Sequence, residues 1–449
     1  VSGATLDVYV NGRQVGTLAE EAGQYVFTYL PDVPPASLVS LLMPVRAASY
    51  GWKTLHPFFQ MNLPEGFQKN LMIRRLGPHA DVSDFGLLAL TGANTIGRVQ
   101  LVPRGVTPER AASKADMAPL LASADSRDNL LQLLEGGVAE GVSGVMPKAL
   151  ARPDRLAPPD LPDDRATVRT DEFILKTGFE DLPGLAINEY LCLEVAREAG
   201  LEVPEARLSD DGQVLAVRRF DRNADGGMLA VEDYCALKPN DAVNKYKGSL
   251  EDLAKLTHTY VPRAALKDNA RRLYTLILLN YAIHNADAHL KNFALVYTSV
   301  DDVRLAPVYD VLSGTVYPRY ATQLPALTLQ GKRVWASGSM LATYGGARLG
   351  LSKADMDEAR ERITTAVHAV APKVEICAKR YPAFREVAKG MLDTWAAGLE
   401  DIQPGAKPGK TTPAPLREQM GMSGPDTAAR RKEANPYANA DGPFSHKSR

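Results

Sequence analysis

Apolar and polar residues alternate near the start of the chain, and the period lengthens later. Leu6-Asp7-Val8-Tyr9-Val10 alternates, Asn11-Gly12 follows, and Gln14-Val15-Gly16-Thr17-Leu18 returns. Period two around a two-residue type I′ turn signal predicts a β-hairpin. Tyr25–Tyr29 is a third candidate strand. A helical stretch from Pro64 to Leu76 is stopped by Gly77-Pro78, and Gly97–Pro103 supplies another strand. Gly105 to Asp116 is polar and is expected to be a linker.

The second block opens with Gly136-Gly137 and a glycine-bearing segment, Gly141–Lys148. Residues 152–170 are rich in Pro, Asp and Arg and are expected to form an exposed excursion. Then come a short strand, Phe173–Lys176, a helix from Leu185 that stops at Gly200, and a strand over Gln213–Asp221. From about 236 to 400 the spacing is helical. Leu273, Ile277 and Tyr281 recur at helix spacing within Leu266–Ile283. Further helices are expected over Ala354–Ala371, halted by Pro372, and Phe384–Leu399. A short apolar strand is expected over Leu305–Tyr309. The end of the chain is dominated by Pro, Gly, Ala, Lys and Arg, with a basic knot at Arg430-Arg431-Lys432, and predicts a disordered tail. The expected division is 1–105, 106–236, 237–400 and 401–449, in an α+β chain.

Composition narrows this little. The 449 residues are 45% hydrophobic and 23% charged, with net charge −1. This is an ordinary globular balance, without a field that demands nucleic acid or membrane. Cys192, Cys235 and Cys377 are widely spaced, which suggests neither a disulfide framework nor a zinc site. No run approaches the roughly 18 apolar residues of a membrane helix, and no secretory signal opens the chain. The chain begins with Val1 rather than Met, so its natural start is expected to have been removed or omitted. A cytoplasmic location is the expectation.

The chemistry concentrates in Asn285-Ala286-Asp287-Ala288-His289-Leu290-Lys291-Asn292 and, later, Pro307-Val308-Tyr309-Asp310. An Asp, an Asn five positions on and a later Asp follow the order of a protein-kinase centre. There, Asp287 would take the proton from an acceptor hydroxyl, and Asn292 and Asp310 would hold magnesium against phosphates. Lys291 would neutralise the transferring phosphate, and His289 would hold the loop. Lys176, at the end of a strand, would reach the nucleotide phosphates, pinned by Glu189 on the next helix. The Gly141–Lys148 loop, with Val142, Ser143, Gly144, Val145 and Lys148, would cradle phosphate through backbone amides, although it is not a Walker A sequence. His284, Asp287 and His289 also form an H-x-x-D-x-H string that suits a metal-dependent hydrolase. That reading leaves Asn292 and the lysine strand unexplained.

On these residues the chain resembles the HipA-type serine/threonine kinases of HipA–HipB toxin–antitoxin pairs. The resemblance spans about residues 5–400. It rests on Val8–Gly12 through Val15-Gly16, Ser143-Gly144-Val145 with Lys148, Ile174–Lys176, Asn188–Tyr190, Arg219–Arg222 and Glu232-Asp233, together with the two motifs above. It implies a two-lobed protein-kinase-like fold: a β-rich N-terminal subdomain (1–105), an N-lobe with the phosphate loop (106–236) and a mainly helical C-lobe (237–400). It implies ATP and Mg2+ as cofactors and a hinge for the adenine at Val217–Phe220, with Arg218 and Phe220 beside the nucleotide. This chain departs from the family pattern at Gly141, Met146 and Arg218. The resemblance further implies autophosphorylation at Ser143, an aminoacyl-tRNA synthetase as substrate and growth arrest as outcome. It also implies a HipB-like helix-turn-helix antitoxin as partner, with DNA contacted only through that partner. A catalytically weak nucleotide-binding corepressor is the alternative.

Overall fold

The computed structural model describes residues 4–108, 117–139, 165–223 and 227–405. Its front is an antiparallel sheet of β1 (Thr5–Val10), β2 (Arg13–Glu21), β3 (Gln24–Tyr29), β4 (Tyr50–Trp52) and β5 (Val99–Pro103), in the order β4-β3-β2-β1-β5. Asn11 and Gly12 both take positive φ, 49° and 78°, as the hairpin turn requires. Leu6, Val8 and Val10 are buried together with Leu18, Phe27 and Leu101. Helices α1 (Gly66–Leu76) and α2 (Asp84–Thr91) cover that core through Leu71, Met72, Phe85 and Leu88.

After α3 (Ser126–Ala139) comes a second antiparallel sheet. It is built from β6 (Arg165–Arg169), β7 (Phe173–Gly178), β8 (Ala206–Leu208) and β9 (Val214–Arg218), in the order β6-β7-β9-β8, with α4 (Leu185–Glu198) between β7 and β8. Gly200, at φ 78°, ends that helix as expected. The expected excursion over 152–170 is corrected in its described part, because residues 165–169 are the strand β6. Ala166 and Val168 pack into apolar clusters, and Arg165, Thr167 and Arg169 fall on the other face. Charged residues at alternate positions gave the strand the composition of a loop.

β10 (Ala230–Asp233), β11 (Ala294–Tyr297) and β12 (Arg304–Leu305) form a small antiparallel sheet. The expected strand over Leu305–Tyr309 shrinks to its first residue. Pro307 has no N–H for a ladder, and the Val308 N–H instead reaches the Glu202 carbonyl at 2.8 Å. The helical part comprises α5 (Leu250–Tyr260), α6 (Arg263–Ala282), α7 (Gly338–Leu349), α8 (Lys353–Arg380) and α9 (Arg385–Asp401). Ser249 with Asp252, and Ser352 with Asp355, form capping boxes that start α5 and α8. The expected stop at Pro372 does not occur, and α8 runs through it to Arg380. A proline inside a helix costs about 3 kcal/mol. The buried stripe Ile363, Val367, Val370 and Val374 continues past it into the largest core and outweighs that cost. That core runs across the expected boundary at 236/237, from Leu185 and Leu191 to Leu273 and Trp395. Ile402 is also buried in it, so only 406–449 of the expected tail lies outside the described residues.

Candidate active site

Every residue of α6 from Leu273 to Ala282 is buried, which makes its end a fixed mount for the loop that follows. His284 turns the chain with φ 50°. Asn285 then ties loop to helix: its amide donates to Asn280 Oδ1 at 2.8 Å, and its own Oδ1 accepts the Asp287 N–H at 3.2 Å. Leu290, fully buried, anchors the far side. Asn292 donates its amide hydrogens to the carbonyls of Asp287, at 2.9 Å, and Asp310, at 3.5 Å. With the nitrogen so engaged, the amide oxygen is left for the cavity. Asp310 sits at φ 57°, a left-handed conformation that Asp tolerates better than most residues.

Asp287, Asn292 and Asp310 line one cavity of about 570 Å³, together with Lys176 and the apolar Ile96, Val217 and Phe220. Lys176 on β7 lies 2.5 Å from Glu189 on α4 and 2.9 Å from Asp310. Burial works against the ammonium, but Asp310 and Glu189 outweigh it, and its pKa is held above the ordinary lysine value. Burial likewise works against the Asp310 carboxylate. Arg165 and then Lys176 overcome it and hold Asp310 far below the usual carboxylate range. Tyr246 donates to Asp287 Oδ1 at 2.7 Å. Arg165 donates to Asp287 Oδ2 at 2.8 Å and to Asp310 Oδ1 at 2.9 Å.

The structure thus brings together Asp287, Asn292, Asp310, Lys176 and Glu189. His289 is buried beside them. Burial lowers its pKa to about 4, so the ring is neutral, and it packs nearly perpendicular to the Tyr246 ring. Its N–H and carbonyl shape the turn by bonding the Asp287 carbonyl and the Asn292 N–H. Lys291 lines the same cavity, where it is ion-paired with Glu65 of the front subdomain. Phe220 lies against Tyr309, with ring centroids 5.6 Å apart. The Arg218 side chain is held at the exposed edge by Glu205, at 2.8 Å, and lies over the Phe173 ring. Val142, Ser143, Gly144, Val145 and Lys148 lie outside the described residues. The H-x-x-D-x-H string does not converge. His284 stacks on Trp335, with centroids 4.4 Å apart, and lies 3.7 Å from Asp401.

Arg165 and Tyr246 escape the sequence reading. The alternation of Arg165-Ala166-Thr167-Val168-Arg169 was a usable signal for the first. Tyr246 stands just past a short 3₁₀ turn and had none. No described helix is long and apolar enough to cross a membrane.

Residues 6–102 match the HipA N-terminal domain, and residues 141–371 match the HipA-like C-terminal domain. Two relatives come from Sinorhizobium fredii (strain NBRC 101917 / NGR234). One, named "Putative kinase Y4mE", is 29% identical over 349 residues, which cover 73% of this chain and 81% of that protein. The other, "Putative kinase Y4dM", is 27% identical over 341 residues, 70% of this chain and 78% of that protein. Among solved structures, HipA of Shewanella oneidensis MR-1, in a complex with HipB and its operator DNA, superposes with a TM-score of 0.61 at 18% identity. The superposition covers 88% of this chain and 96% of that one. At that identity the likeness establishes the fold, which is two-lobed and kinase-like.

Proposed function

Because this chain belongs to the HipA family, we propose that it is a magnesium-dependent protein kinase that transfers the γ-phosphoryl group of ATP to a serine or threonine hydroxyl. One observation carries the reading: Asp287, Asn292 and Asp310 meet on the wall of one cavity, beside a lysine that touches Asp310 and is pinned by a helix glutamate. The donor set fits the cation, since Asp310 and Asn292 offer the hard oxygen ligands that magnesium takes beside phosphates. When bound, magnesium and ATP supply the phosphoryl group and offset its charge.

The protein's own groups do the positioning. Asp287, its carboxylate oriented by Tyr246, accepts the proton of the acceptor hydroxyl. Lys176 presents a permanent cation, fixed by Glu189, to the phosphates. Val217, Phe220 and Ile96 form the apolar end that receives the base. A neutral His289 holds the loop and takes no proton.

By analogy with the family, we assign an aminoacyl-tRNA synthetase as substrate, growth arrest as outcome, and a cytoplasmic setting. A HipB-like helix-turn-helix antitoxin is the expected partner, and DNA is reached only through it. Ser143 is the candidate for autophosphorylation. To test this, the full chain is incubated with labelled ATP, magnesium and cell lysate, and the labelled proteins are identified. Magnesium-dependent label on serine or threonine of a synthetase is expected. Label on no protein would overturn the reading, and a phosphopeptide map without phosphate at Ser143 would remove autophosphorylation.

A further inference from the structure

The β6 strand places Arg165 with purpose. Ala166 and Val168 are held in apolar clusters, so Arg165, Thr167 and Arg169 share the face that lines the cavity. Arg165 lies opposite Gly178 at the end of the β6–β7 ladder, beyond the Thr167–Lys176 pair. Its guanidinium spans two carboxylates that belong to different stretches of chain: Nη2 is 2.8 Å from Asp287 and Nη1 is 2.9 Å from Asp310. A cation therefore stands between the proposed base and a proposed metal ligand. In the kinase reading, the transferring group and its metal have to pass through that same place.

Two carboxylates sharing one half-buried wall repel each other, and a fixed cation between them offsets the repulsion. Arginine suits an exchange of partners. Its planar fork stays charged and matches carboxylate and phosphate alike. Lys176 also touches Asp310, but Glu189 secures it from the other side, whereas both of Arg165's anionic partners face the cavity.

We propose that Arg165 is a resident counter-cation of Asp287 and Asp310, exchanged at Asp310 for a divalent cation and thereby freed to contact the transferring phosphate. The inference rests on the kinase reading and deepens it. No bond to carbon or phosphorus changes in the exchange, only ion pairing.

The test uses the full chain, with Mn2+ alone titrated by electron paramagnetic resonance, and labelled-ATP transfer measured in parallel. Arg165→Gln should bind Mn2+ about tenfold more tightly, the scale of an ordinary coupling between two sites. The same variant should transfer phosphate about a hundredfold more slowly, as on loss of one charge-stabilising donor. Arg165→Lys, which keeps the charge and loses the fork, should fall between them in both assays. Unchanged Mn2+ affinity in both variants, with transfer by the wild type intact, overturns the inference and leaves the kinase reading standing. Tighter Mn2+ binding in a protein whose wild type transfers nothing overturns the kinase reading and the phosphate contact together. Should Arg165→Gln fail to fold, a structure of the wild type with Mn2+ and a non-hydrolysable ATP analogue decides. Arg165 still bonded to Asp310 there refutes the exchange.

Discussion

Two regions of this molecule bury ion pairs, and they differ in how completely the pairs are closed. At the seam between the front sheet and the second sheet, Arg219 is 0% exposed and Asp221 2%. All five N–H groups of Arg219 are used: on both Asp221 oxygens (3.0 and 2.7 Å), on Asn94 (2.7 Å), and on the carbonyls of Thr170 (3.2 Å) and Thr95 (2.5 Å). At the candidate active site Arg165, Asp287 and Asp310 remain 30%, 27% and 19% exposed to a cavity. Arg219 has no hydrogen left over for a ligand, although it and Asp221 border the same cavity. The wall of the candidate site holds the same types of group with one side open to the cavity.

That contrast can be broken from either side. The largest effect is expected at the open wall. Asp310→Asn should lower phosphate transfer by about 10²–10⁴-fold, the range of an essential catalytic group, with far-ultraviolet circular dichroism unchanged. At the seam the order of effects reverses. Arg219→Met takes from buried Asp221 the nearer of its two arginines, leaving Arg222 at 3.3 Å, and about 3 kcal/mol should be lost in urea unfolding.

A further buried group, Glu232 on β10, ties the front subdomain to the third sheet and responds to pH. Glu232 is fully buried, and burial pushes its carboxyl up to about 7, against hydrogen bonds from Ser40, Tyr297 and Leu41. The folded state therefore holds this proton more tightly than the unfolded chain. The stability it contributes is full below about pH 4.5 and is lost as pH rises toward 7, by up to about 3 kcal/mol. Glu232→Gln should flatten that slope in denaturation curves taken across the window. The smallest effect is expected at Glu65, whose side chain is 42% exposed. Glu65→Gln should cost under about 1 kcal/mol of stability, as exposed pairs do. A larger loss in thermal melting would mean that the tie from the front subdomain to Lys291 is part of the architecture.

The sequence made legible what local rules control. The hairpin over β1 and β2 follows from alternation and an Asn-Gly turn. The Asp287–Asn292 spacing survives because both residues sit on one tight loop, and Lys176 meets Glu189 because strand and helix are adjacent in the chain. Local rules failed where distant packing decided. Pro372 sits inside α8 because the core rewards a continuous stripe, and β6 was hidden by the very arginines that line the cavity. Arg165 meets Asp287 across 122 residues and Tyr246 meets it across 41, distances that no motif encodes.

Asp287 is the proposed base of the phosphoryl transfer. Its most direct test is the rate at which label moves from γ-labelled ATP to protein serine or threonine, for the wild type and for Asp287→Ala at equal magnesium. Transfer by the wild type and a loss of about 10²–10⁴-fold in the variant, with the fold retained, are expected. Equal rates in the two proteins would contradict that role.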